Sequence, residues 1–331
     1  MKAWIVDRNG FTRTENMVAP KLSPAKIRVR VQYAGVGFAD VMAVRGAYPL
    51  APRKPYSPGY ECYGTVETIG GQVTFASDKV APGDRVVALL DTMGGYREFV
   101  DLEPWRVVLV PKNLEDAVAA ALPLNYLTAW GLFEENEVSK GTVLVHGAAG
   151  GVGSAVLECA LQKGLRAYGT CSAHKAEFVK ARGGTALDSS ADWAREILAR
   201  EPDGVNAVFD AFGLQSLKEG WKVLSPSGTL SAYGFYPGTN DGLPAMVKGM
   251  AWLGTRRFFG GKRRTSLFSL PMLVRSNHAW YRNTLAGILK LAAEKKISPA
   301  IHGVVNWAKA SEAHRLLLER KASGKVLLAF Y

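Results

Sequence analysis

Cysteine and histidine, the side chains that most often bind transition metals, are scarce in this sequence. Its 331 residues contain five histidines and three cysteines, Cys62, Cys159 and Cys171. The cysteines are odd in number and far apart, which excludes both a disulfide framework and a zinc knuckle. The histidines show no ligand spacing. We therefore expect no metal site, and we expect each histidine to lie at the surface or to be hydrogen-bonded in the core.

Long apolar runs are also lacking. The longest uncharged stretch, residues 117–133, is interrupted by Pro123 and Asn125 and is short for a bilayer span. The N-terminal sequence MKAWIVDRNG has no apolar core of signal-peptide length. Because 48% of the residues are apolar and most charges are scattered among them, we expect a soluble globular protein in the cytoplasm.

Acidic residues are nearly absent from one part of the chain. Residues 242–300 contain eleven lysines and arginines but only Glu294 as an acid, so this part carries +10 of the net charge of +12. Residues 246–264 combine this charge with Trp252, Phe258 and Phe259. Three roles fit such a basic, aromatic segment: a cover over a substrate cleft or a contact in a homodimer, a contact with an anionic membrane surface, and, least favoured, a contact with nucleic acid.

The segment VLVHGAAGGVG, residues 143–153, is the strongest local motif. Its first residues predict a strand buried on both faces, its glycines predict a tight turn, and the apolar spacing that follows predicts a helix. A helix N-terminus under glycines suits a pyrophosphate, because its N–H groups and dipole attract negative charge. We therefore predict a dinucleotide site with Gly150, Gly151 and Val152 at the turn. The alternative is a simple turn between two core elements.

The order of the remaining elements predicts two domains, as the chain length does. In the first hundred or so residues, short runs of branched and aromatic residues between turn residues predict a small, partly open β-barrel. From residue 115, helices and strands alternate, which predicts a doubly wound parallel sheet. The pattern breaks down between residues 236 and 264, and a last strand of that sheet is expected within residues 265–270.

Several strings together resemble the medium-chain dehydrogenase/reductase superfamily, and within it the zinc-independent NADPH:quinone oxidoreductase-like branch. Besides the glycine turn and the closing SGKVLLAF, they are AGVGFADVMAVRGAYP (34–49), PGYECYGTVETIG (58–70), PGDRVVALLDTMGGYREFV (82–100) and PLNYLTAW (123–130). The resemblance covers nearly the whole chain. It implies an α/β fold with a GroES-like, partly open β-barrel catalytic domain at residues 1–116 and 277–331. It also implies a Rossmann NADPH-binding domain at residues 117–276, with the active site in the cleft between the two domains.

The chain departs from the zinc-using members of that superfamily at their metal site. It has Gly37 where they have a cysteine ligand, and Tyr60 and Glu61 where they have a His-Glu pair. Zinc in enzymes is held mainly by thiolates and imidazoles, with carboxylates beside them. Since thiolate and imidazole are missing at these places, we expect an enzyme that works without zinc.

The cofactor preference follows from GTCSAHK, residues 169–175, after the second predicted strand of the sheet. An acidic residue there would accept hydrogen bonds from the ribose of NAD. Instead, Ser172 and Lys175 give a neutral to basic pocket that suits the 2′-phosphate of NADPH, unless Lys175 is an ordinary solvated lysine. The superfamily pattern also favours NADPH.

Other cofactor contacts are implied by the resemblance alone. Thr128 matches a threonine beside the cofactor phosphate, and Lys325 matches a basic residue that meets the pyrophosphate. The residues at the strand ends where the adenosine side of the cofactor would lie are Asp210, Phe212, Gly213 and Tyr233. Core packing is the alternative role for Phe212 and Tyr233.

The substrate pocket is likewise implied, with Gly37, Asp40, Met42 and Tyr48 as its residues. Gly37 and Met42 replace an asparagine and a tyrosine of the branch, which favours a roomier, more apolar pocket. Tyr48 is a candidate proton or hydrogen-bond donor, or simply a tyrosine packed at a turn. Asp40 is expected to hold the fold through hydrogen bonds from backbone N–H groups.

Without a metal, catalysis depends on placing NADPH so that its hydride reaches an electron-poor carbon in a pocket that excludes water. A quinone or an α,β-unsaturated carbonyl is such a substrate. The sequence thus predicts a homodimeric, NADPH-dependent reductase of quinones or enones. The rival hypothesis is a non-catalytic NADPH-binding protein whose basic, aromatic segment engages a membrane or RNA, and turnover of NADPH distinguishes the two.

Overall fold

A computed structural model describes residues 1–75, 79–234 and 242–330, without the side chains of residues 242 and 243. The strands of these residues are β1 (Ala3–Asp7), β2 (Gly10–Thr14), β3 (Ile27–Val36), β4 (Glu61–Ile69), β5 (Arg85–Leu89), β6 (Phe99–Leu102), β7 (Val108–Leu109), β8 (Thr142–His146), β9 (Arg166–Cys171), β10 (Thr185–Asp188), β11 (Val205–Asp210), β12 (Leu224–Ala232), β13 (Arg264–Leu267), β14 (Ile301–Asn306) and β15 (Lys325–Ala329). The α-helices are α1 (Phe38–Val44), α2 (Asp116–Ala120), α3 (Pro123–Glu135), α4 (Gly151–Gln162), α5 (Ala176–Ala181), α6 (Trp193–Arg200), α7 (Leu214–Lys222), α8 (Gly242–Phe259), α9 (Leu270–Ser276), α10 (His278–Ala293) and α11 (Ala310–Leu318).

Contacts divide the chain into two units, which are Met1–Leu127 together with Pro271–Tyr331, and Thr128–Leu270. The boundaries expected from the sequence, at 116/117 and 276/277, differ from this division. Helix α2 belongs to the first unit because its polar contacts lie there: the Tyr63 hydroxyl donates a hydrogen bond to the carboxylate of Asp116. That side-chain contact joins residues far apart in the chain, so no local pattern indicates it.

The first unit is built on a seven-stranded sheet in the order β14-β15-β3-β4-β5-β7, in which β6 also pairs with β3. Because β15 lies antiparallel to β3, the C-terminal residues complete a sheet that begins near the N-terminus. Side chains alternate along β3, where Val29 and Val31 are buried. Arg28, on the opposite face, pairs with Asp101 at 2.7 Å. The apolar face of this sheet therefore forms the core of the unit.

The second unit contains a six-stranded parallel sheet in the order β10-β9-β8-β11-β12-β13. Counted within the unit, this order is 3-2-1-4-5-6, which is typical of doubly wound dinucleotide-binding folds. All five residues of β8 are buried, as expected for a central strand covered by helices on both faces. The predicted α/β fold with a doubly wound sheet is confirmed. Strand order reverses between β8 and β11, and such sheets bind ligands at the carboxyl ends of the strands there.

Helix α8 occupies most of the stretch in which the sequence showed no regular pattern, and the part before residue 242 lies outside the described residues. Gly249 and Gly254 lower its helix propensity. The helix forms because tertiary packing compensates: Leu253 is buried in a core cluster against which Trp221 and Trp252 pack. Neither α8 nor another helix of the described residues is long and apolar enough to cross a membrane.

Candidate functional site

The glycine turn joins β8 to α4 in the second unit. Gly147 has a left-handed φ of 71°, and its carbonyl oxygen accepts a hydrogen bond from the Gly150 N–H at 2.9 Å. Gly150 precedes the first residue of α4 with an extended backbone. A Cβ on Gly153 would lie only 2.3 Å from the Gly147 oxygen, so the absence of a side chain lets the helix pack on the turn.

The turn is fixed to the neighbouring strand. The Ala148 N–H donates to the Thr170 carbonyl oxygen at 3.0 Å, and the Gly147 N–H donates to Thr170 Oγ1 at 3.3 Å. The first N–H groups of α4 have no acceptor within the helix. Together with the helix dipole they form a positively polarised site, which fits the pyrophosphate of a dinucleotide. Gly151 and Val152 are the first two residues of that helix.

A loop after β11 lies against the same turn. Asp210 Oδ1 accepts hydrogen bonds from the N–H groups of Phe212, at 2.8 Å, and Gly213, at 2.9 Å. The Phe212 ring lies so close to Gly147 that a Cβ there would be 2.9 Å from its Cζ atom. Since 37% of Phe212 remains exposed, the ring borders the turn without being enclosed in the core. The structure thus brings together the predicted residues Gly150, Phe212 and Gly213.

Three buried polar residues lie beneath the turn, and of these only Asp210 was among the residues expected near the cofactor. His146, Thr170 and Asp210 lie at or next to the carboxyl ends of the adjacent strands β8, β9 and β11. His146 Nδ1 is 3.1 Å from Thr170 Oγ1, and His146 Nε2 is 3.8 Å from Asp210 Oδ2. Burial lowers the pKa of His146, against the opposing influence of the Asp210 charge. The imidazole is therefore neutral near pH 7.

A histidine in the core was expected to be hydrogen-bonded, and His146 meets this expectation at Nδ1 but not at Nε2. Within the described part of the chain, neither His146 Nε2 nor Asp210 Oδ2 has a hydrogen-bond partner, although both are buried. The sequence does place a polar residue at or next to the end of each of three predicted strands. This pattern indicates a shared polar site only once the strand order shows that the three ends are neighbours.

The residues expected near the cofactor ribose follow β9. Ser172 is exposed and precedes a short 3₁₀ turn, Ala173–Lys175, in which the Lys175 N–H donates to the Ser172 carbonyl oxygen at 2.8 Å. Lys175 is half-buried, and burial lowers the pKa of its ammonium group. Tyr233 follows β12, and its N–H donates to the Asp210 carbonyl oxygen at 2.9 Å. Thr128 is buried within α3.

In the first unit, the predicted substrate residues collect around α1. Asp40 is fully buried, and its carboxylate accepts hydrogen bonds from the N–H groups of Gly37 and Gly59, each at 2.8 Å. It therefore ties together two loops, as expected. The Tyr60 hydroxyl donates to the Tyr48 oxygen at 3.2 Å, and burial raises the pKa of Tyr48. A phenol with a raised pKa donates a hydrogen bond more readily than a proton.

Met42 and Lys325 have different surroundings. Met42 is half-buried on α1. The Lys325 ammonium forms an ion pair with Glu61 Oε1, and both side chains are almost fully buried. Glu61 Oε2 accepts a hydrogen bond from the Leu124 N–H at 2.7 Å. In this arrangement the Lys325 ammonium is the ionic partner of a carboxylate in its own unit. Its contact with a pyrophosphate stays a prediction.

The donor set at the positions of the superfamily metal site does not fit zinc. Gly37 has no side chain, Tyr60 offers only a phenol whose pKa burial raises, and Glu61 is engaged by Lys325 and Leu124. Across residues 1–75, 79–234 and 242–330 there is no group of three or more His, Cys, Asp or Glu side chains that could hold a metal ion.

Asp40 is expected to make the stability of the protein depend on pH. Burial raises its pKa from 3.8 to about 7, although the two N–H donors favour the ionised form. The folded state therefore retains a proton that the unfolded state loses. The stabilising contribution of the protonated form is complete below about pH 4 and falls by about 1.4 kcal/mol per pH unit up to about pH 7.

Urea denaturation between pH 4 and 8 measures this dependence. Asp40→Asn is the control, because an amide does not titrate in this range and still accepts one of the two hydrogen bonds. The difference in unfolding free energy between wild type and Asp40→Asn should change with pH in this window. Parallel pH profiles for the two proteins would contradict the assignment.

Two family models match the chain, one within the first unit and one that runs from the second unit into the C-terminal part of the first. A model described as alcohol dehydrogenase GroES-like domain matches residues 23–112, and one described as zinc-binding dehydrogenase matches residues 184–328. A mycobacterial protein solved as a complex with NADPH has a TM-score of 0.85 and 28% identity, covering 100% of both chains.

Three relatives are similar in sequence to nearly the whole of this chain. A synaptic vesicle membrane protein VAT-1 homolog from Rattus norvegicus is 34% identical over 324 residues, which are 94% of this chain and 78% of that protein. The VAT-1 homolog of Danio rerio is 32% identical, and the match spans 93% of this chain but only 65% of the fish protein. A probable quinone oxidoreductase from Schizosaccharomyces pombe is 30% identical, with 93% and 90% covered.

A GroES-like unit, together with a 3-2-1-4-5-6 parallel sheet whose glycine turn opens a helix, defines a dinucleotide-dependent dehydrogenase or reductase. The chain belongs to the medium-chain dehydrogenase/reductase superfamily, in its quinone oxidoreductase-like branch. The superfamily and the fold class predicted from the sequence are therefore confirmed.

Proposed function

We propose that this protein is a zinc-independent, NADPH-dependent oxidoreductase that transfers a hydride to a quinone or an α,β-unsaturated carbonyl. The observation that carries the proposal is the glycine turn at the start of α4, bordered by the Phe212 ring at the switch point of the sheet. The relatives support it: one solved structure holds NADPH, and one relative is called a probable quinone oxidoreductase.

On the cofactor side, the residues of the second unit would bind and orient NADPH. The N–H groups around Gly151 and Val152 would receive the pyrophosphate, because the first turn of α4 leaves them without acceptors. Ser172 and Lys175 would meet the 2′-phosphate. Bound NADPH supplies the hydride, and the positions of Phe212 and Tyr233 suit them to hold the cofactor in one orientation.

On the substrate side, Tyr48 would donate a hydrogen bond to the substrate oxygen on which negative charge develops after hydride transfer. Its phenol lies next to Tyr60, and their rings meet edge to face with centroids 6.0 Å apart. This packing restricts the Tyr48 ring and would aim its hydroxyl. Since burial raises the pKa of Tyr48, the phenol would stabilise the oxyanion by hydrogen bonding while water supplies the proton.

Three further properties stay predictions from the sequence. They are the homodimer, the cytoplasmic location and independence from zinc. The last is supported by the donor set at Gly37, Tyr60 and Glu61. Metal analysis of the purified protein, combined with activity after dialysis against a chelator, tests it: bound zinc at one equivalent and loss of turnover on its removal would contradict the proposal.

Lys175→Ala is expected to raise the dissociation constant of NADPH about tenfold or more and to leave that of NADH unchanged. A hydrogen bond between charged groups contributes about 1.5–3 kcal/mol, and only NADPH carries the 2′-phosphate. Fluorescence titration with each cofactor measures both constants. Lys180→Ala is the matched control, because Lys180 pairs with Glu177 on the exposed side of α5. Equal losses with NADPH and NADH would remove Lys175 from the 2′-phosphate site.

The proposed reaction is tested by following NADPH oxidation at 340 nm with a panel of quinones and enones. Steady turnover with at least one class supports the reductase. Tight NADPH binding without turnover across the panel would instead support a non-catalytic NADPH-binding protein. Tyr48→Phe should lower kcat, because it removes the donor to the substrate oxygen. It also removes the acceptor of the Tyr60 hydroxyl, but neither contact involves the proposed cofactor residues, so the NADPH dissociation constant should stay unchanged.

A further inference from the structure

The end of α8 exposes two aromatic side chains. Phe258 is 80% and Phe259 81% exposed, and Val247 is 50% exposed. Val247 and Phe258 lie about three turns apart on the same side of the helix. Phenylalanine is among the residues most often buried, and adjacent exposed apolar side chains mark interaction sites.

The helix end that carries these rings is held firmly on the rest of its unit. The Arg256 guanidinium lies 5.3 Å from the centre of the Trp252 ring and 5.9 Å from that of Trp221. Arg263 donates to the carbonyl oxygens of Trp221, at 3.0 Å, and Ser225, at 3.2 Å. Both arginines are thus used to fix α8 and the turn that follows it. The two phenyl rings are presented to solvent by a rigid element.

The remaining basic residues near the rings carry uncompensated charge. Lys248, Arg257 and Lys262 are exposed, and within the described residues no carboxylate pairs with any of them. Arg264 differs, because it pairs with Glu137 at 2.9 Å. We call Val247, Lys248, Arg257, Phe258, Phe259 and Lys262 the α8 face.

We propose that the α8 face docks on the surface of a bilayer that contains anionic phospholipids. The phenyl rings would enter the boundary between headgroups and acyl chains, and the basic side chains would bind the headgroup phosphates. This inference does not depend on the NADPH site or on hydride transfer. Neither the proposed NADPH binding nor the proposed hydride transfer requires the α8 face.

Charge distinguishes this occupant from a second copy of the chain. A two-fold contact through the α8 face would collect the basic side chains of both copies in one interface to which that face contributes no carboxylate, and like charges oppose such an approach. An anionic surface neutralises them instead. Stacking with the bases of RNA is less favoured, because Arg256 covers Trp221 and Trp252 and leaves only the two phenyl rings for stacking.

Co-sedimentation with vesicles tests the proposal. The full chain should bind vesicles of phosphatidylcholine with phosphatidylserine and should not bind phosphatidylcholine alone. Phe258→Ser/Phe259→Ser should lower the partition coefficient about tenfold or more, because it removes the apolar insertion. Arg257→Glu/Lys262→Glu should lower it at least about 25-fold, since each basic residue near an anionic surface contributes about fivefold and both contributions are lost. Added salt should weaken the binding.

Two double variants serve as matched controls, and both should bind as the wild type does. Val18→Ser/Leu161→Ser removes apolar side chains that are 88% and 57% exposed elsewhere, and Lys112→Glu/Lys140→Glu makes the same change of net charge. Thermal unfolding confirms that each variant is folded. Equal binding to neutral vesicles, or unchanged binding of both α8 variants, overturns the proposal. If vesicles are not bound, two further results overturn it. One is a dimer that the Phe258→Ser/Phe259→Ser substitutions dissociate, and the other is binding of single-stranded RNA.

Discussion

Gly153→Ala is expected to weaken NADPH binding about tenfold to a hundredfold, because a displaced turn would lose at least one hydrogen bond to the charged pyrophosphate, and such a bond contributes about 1.5–3 kcal/mol. The added methyl carbon would lie 2.3 Å from the Gly147 carbonyl oxygen and 2.7 Å from Cα of Ala148. Both are backbone atoms of the glycine turn, so rotation of a side chain cannot relieve the collision. The turn and α4 must move apart. Fluorescence titration gives the dissociation constant of NADPH.

Gly254→Ala is the matched control for this substitution. Gly254 also lies inside a helix of the second unit, but a Cβ there would meet no atom within 4 Å. The variant should bind NADPH as the wild type does and gain up to about 1 kcal/mol of stability, because alanine favours the helix. If Gly153→Ala bound NADPH normally, the turn could not be the phosphate site.

Lys325→Met is expected to lower the unfolding free energy by about 3–5 kcal/mol, because it leaves the buried carboxylate of Glu61 without its ionic partner. The two side chains are 2% and 0% exposed. Gly35 leaves them room, since a Cβ there would lie 2.0 Å from Glu61 Oε1. Urea denaturation measures the loss.

The double variant Glu61→Gln/Lys325→Met separates this structural role from the predicted contact with the pyrophosphate. It removes both charges and keeps an acceptor for the Leu124 N–H, so it should recover most of the stability. A cofactor role predicts that the NADPH dissociation constant rises equally in the single and the double variant. A Lys325→Met protein as stable as the wild type would contradict the structural role.

The glycine turn was predictable because its physical requirements are local. A strand, a turn without side chains and an amphipathic helix all lie within residues 143–163, and each leaves its own pattern. Helix α8 was not predictable for the opposite reason. Gly249 and Gly254 weaken the local signal, and the compensating contact of Leu253 with the Trp221 cluster depends on residues distant in the chain.

The candidate site was predictable to a similar, limited extent. Gly150, Gly151 and Val152 lie where the motif indicated, at the start of α4. Lys325 was assigned to the pyrophosphate from its position in a motif. The direction of its side chain depends on Glu61, however, and the pairing of β15 with β3 and of β3 with β4 brings Glu61 next to it.

By itself the sequence determined the α/β class and the place of the glycine turn, since these depend on short-range patterns of glycine and apolar residues. The superfamily was indicated by the resemblance of several strings to its members. Only the tertiary structure decided that His146, Thr170 and Asp210 meet beneath that turn. It also decided that Phe258 and Phe259 stay exposed beside basic residues with which no carboxylate of the described chain pairs. The physical reason is the same in both cases. Strand order and helix packing set which distant side chains become neighbours, and a neighbour determines whether a polar group is paired or an apolar one is covered.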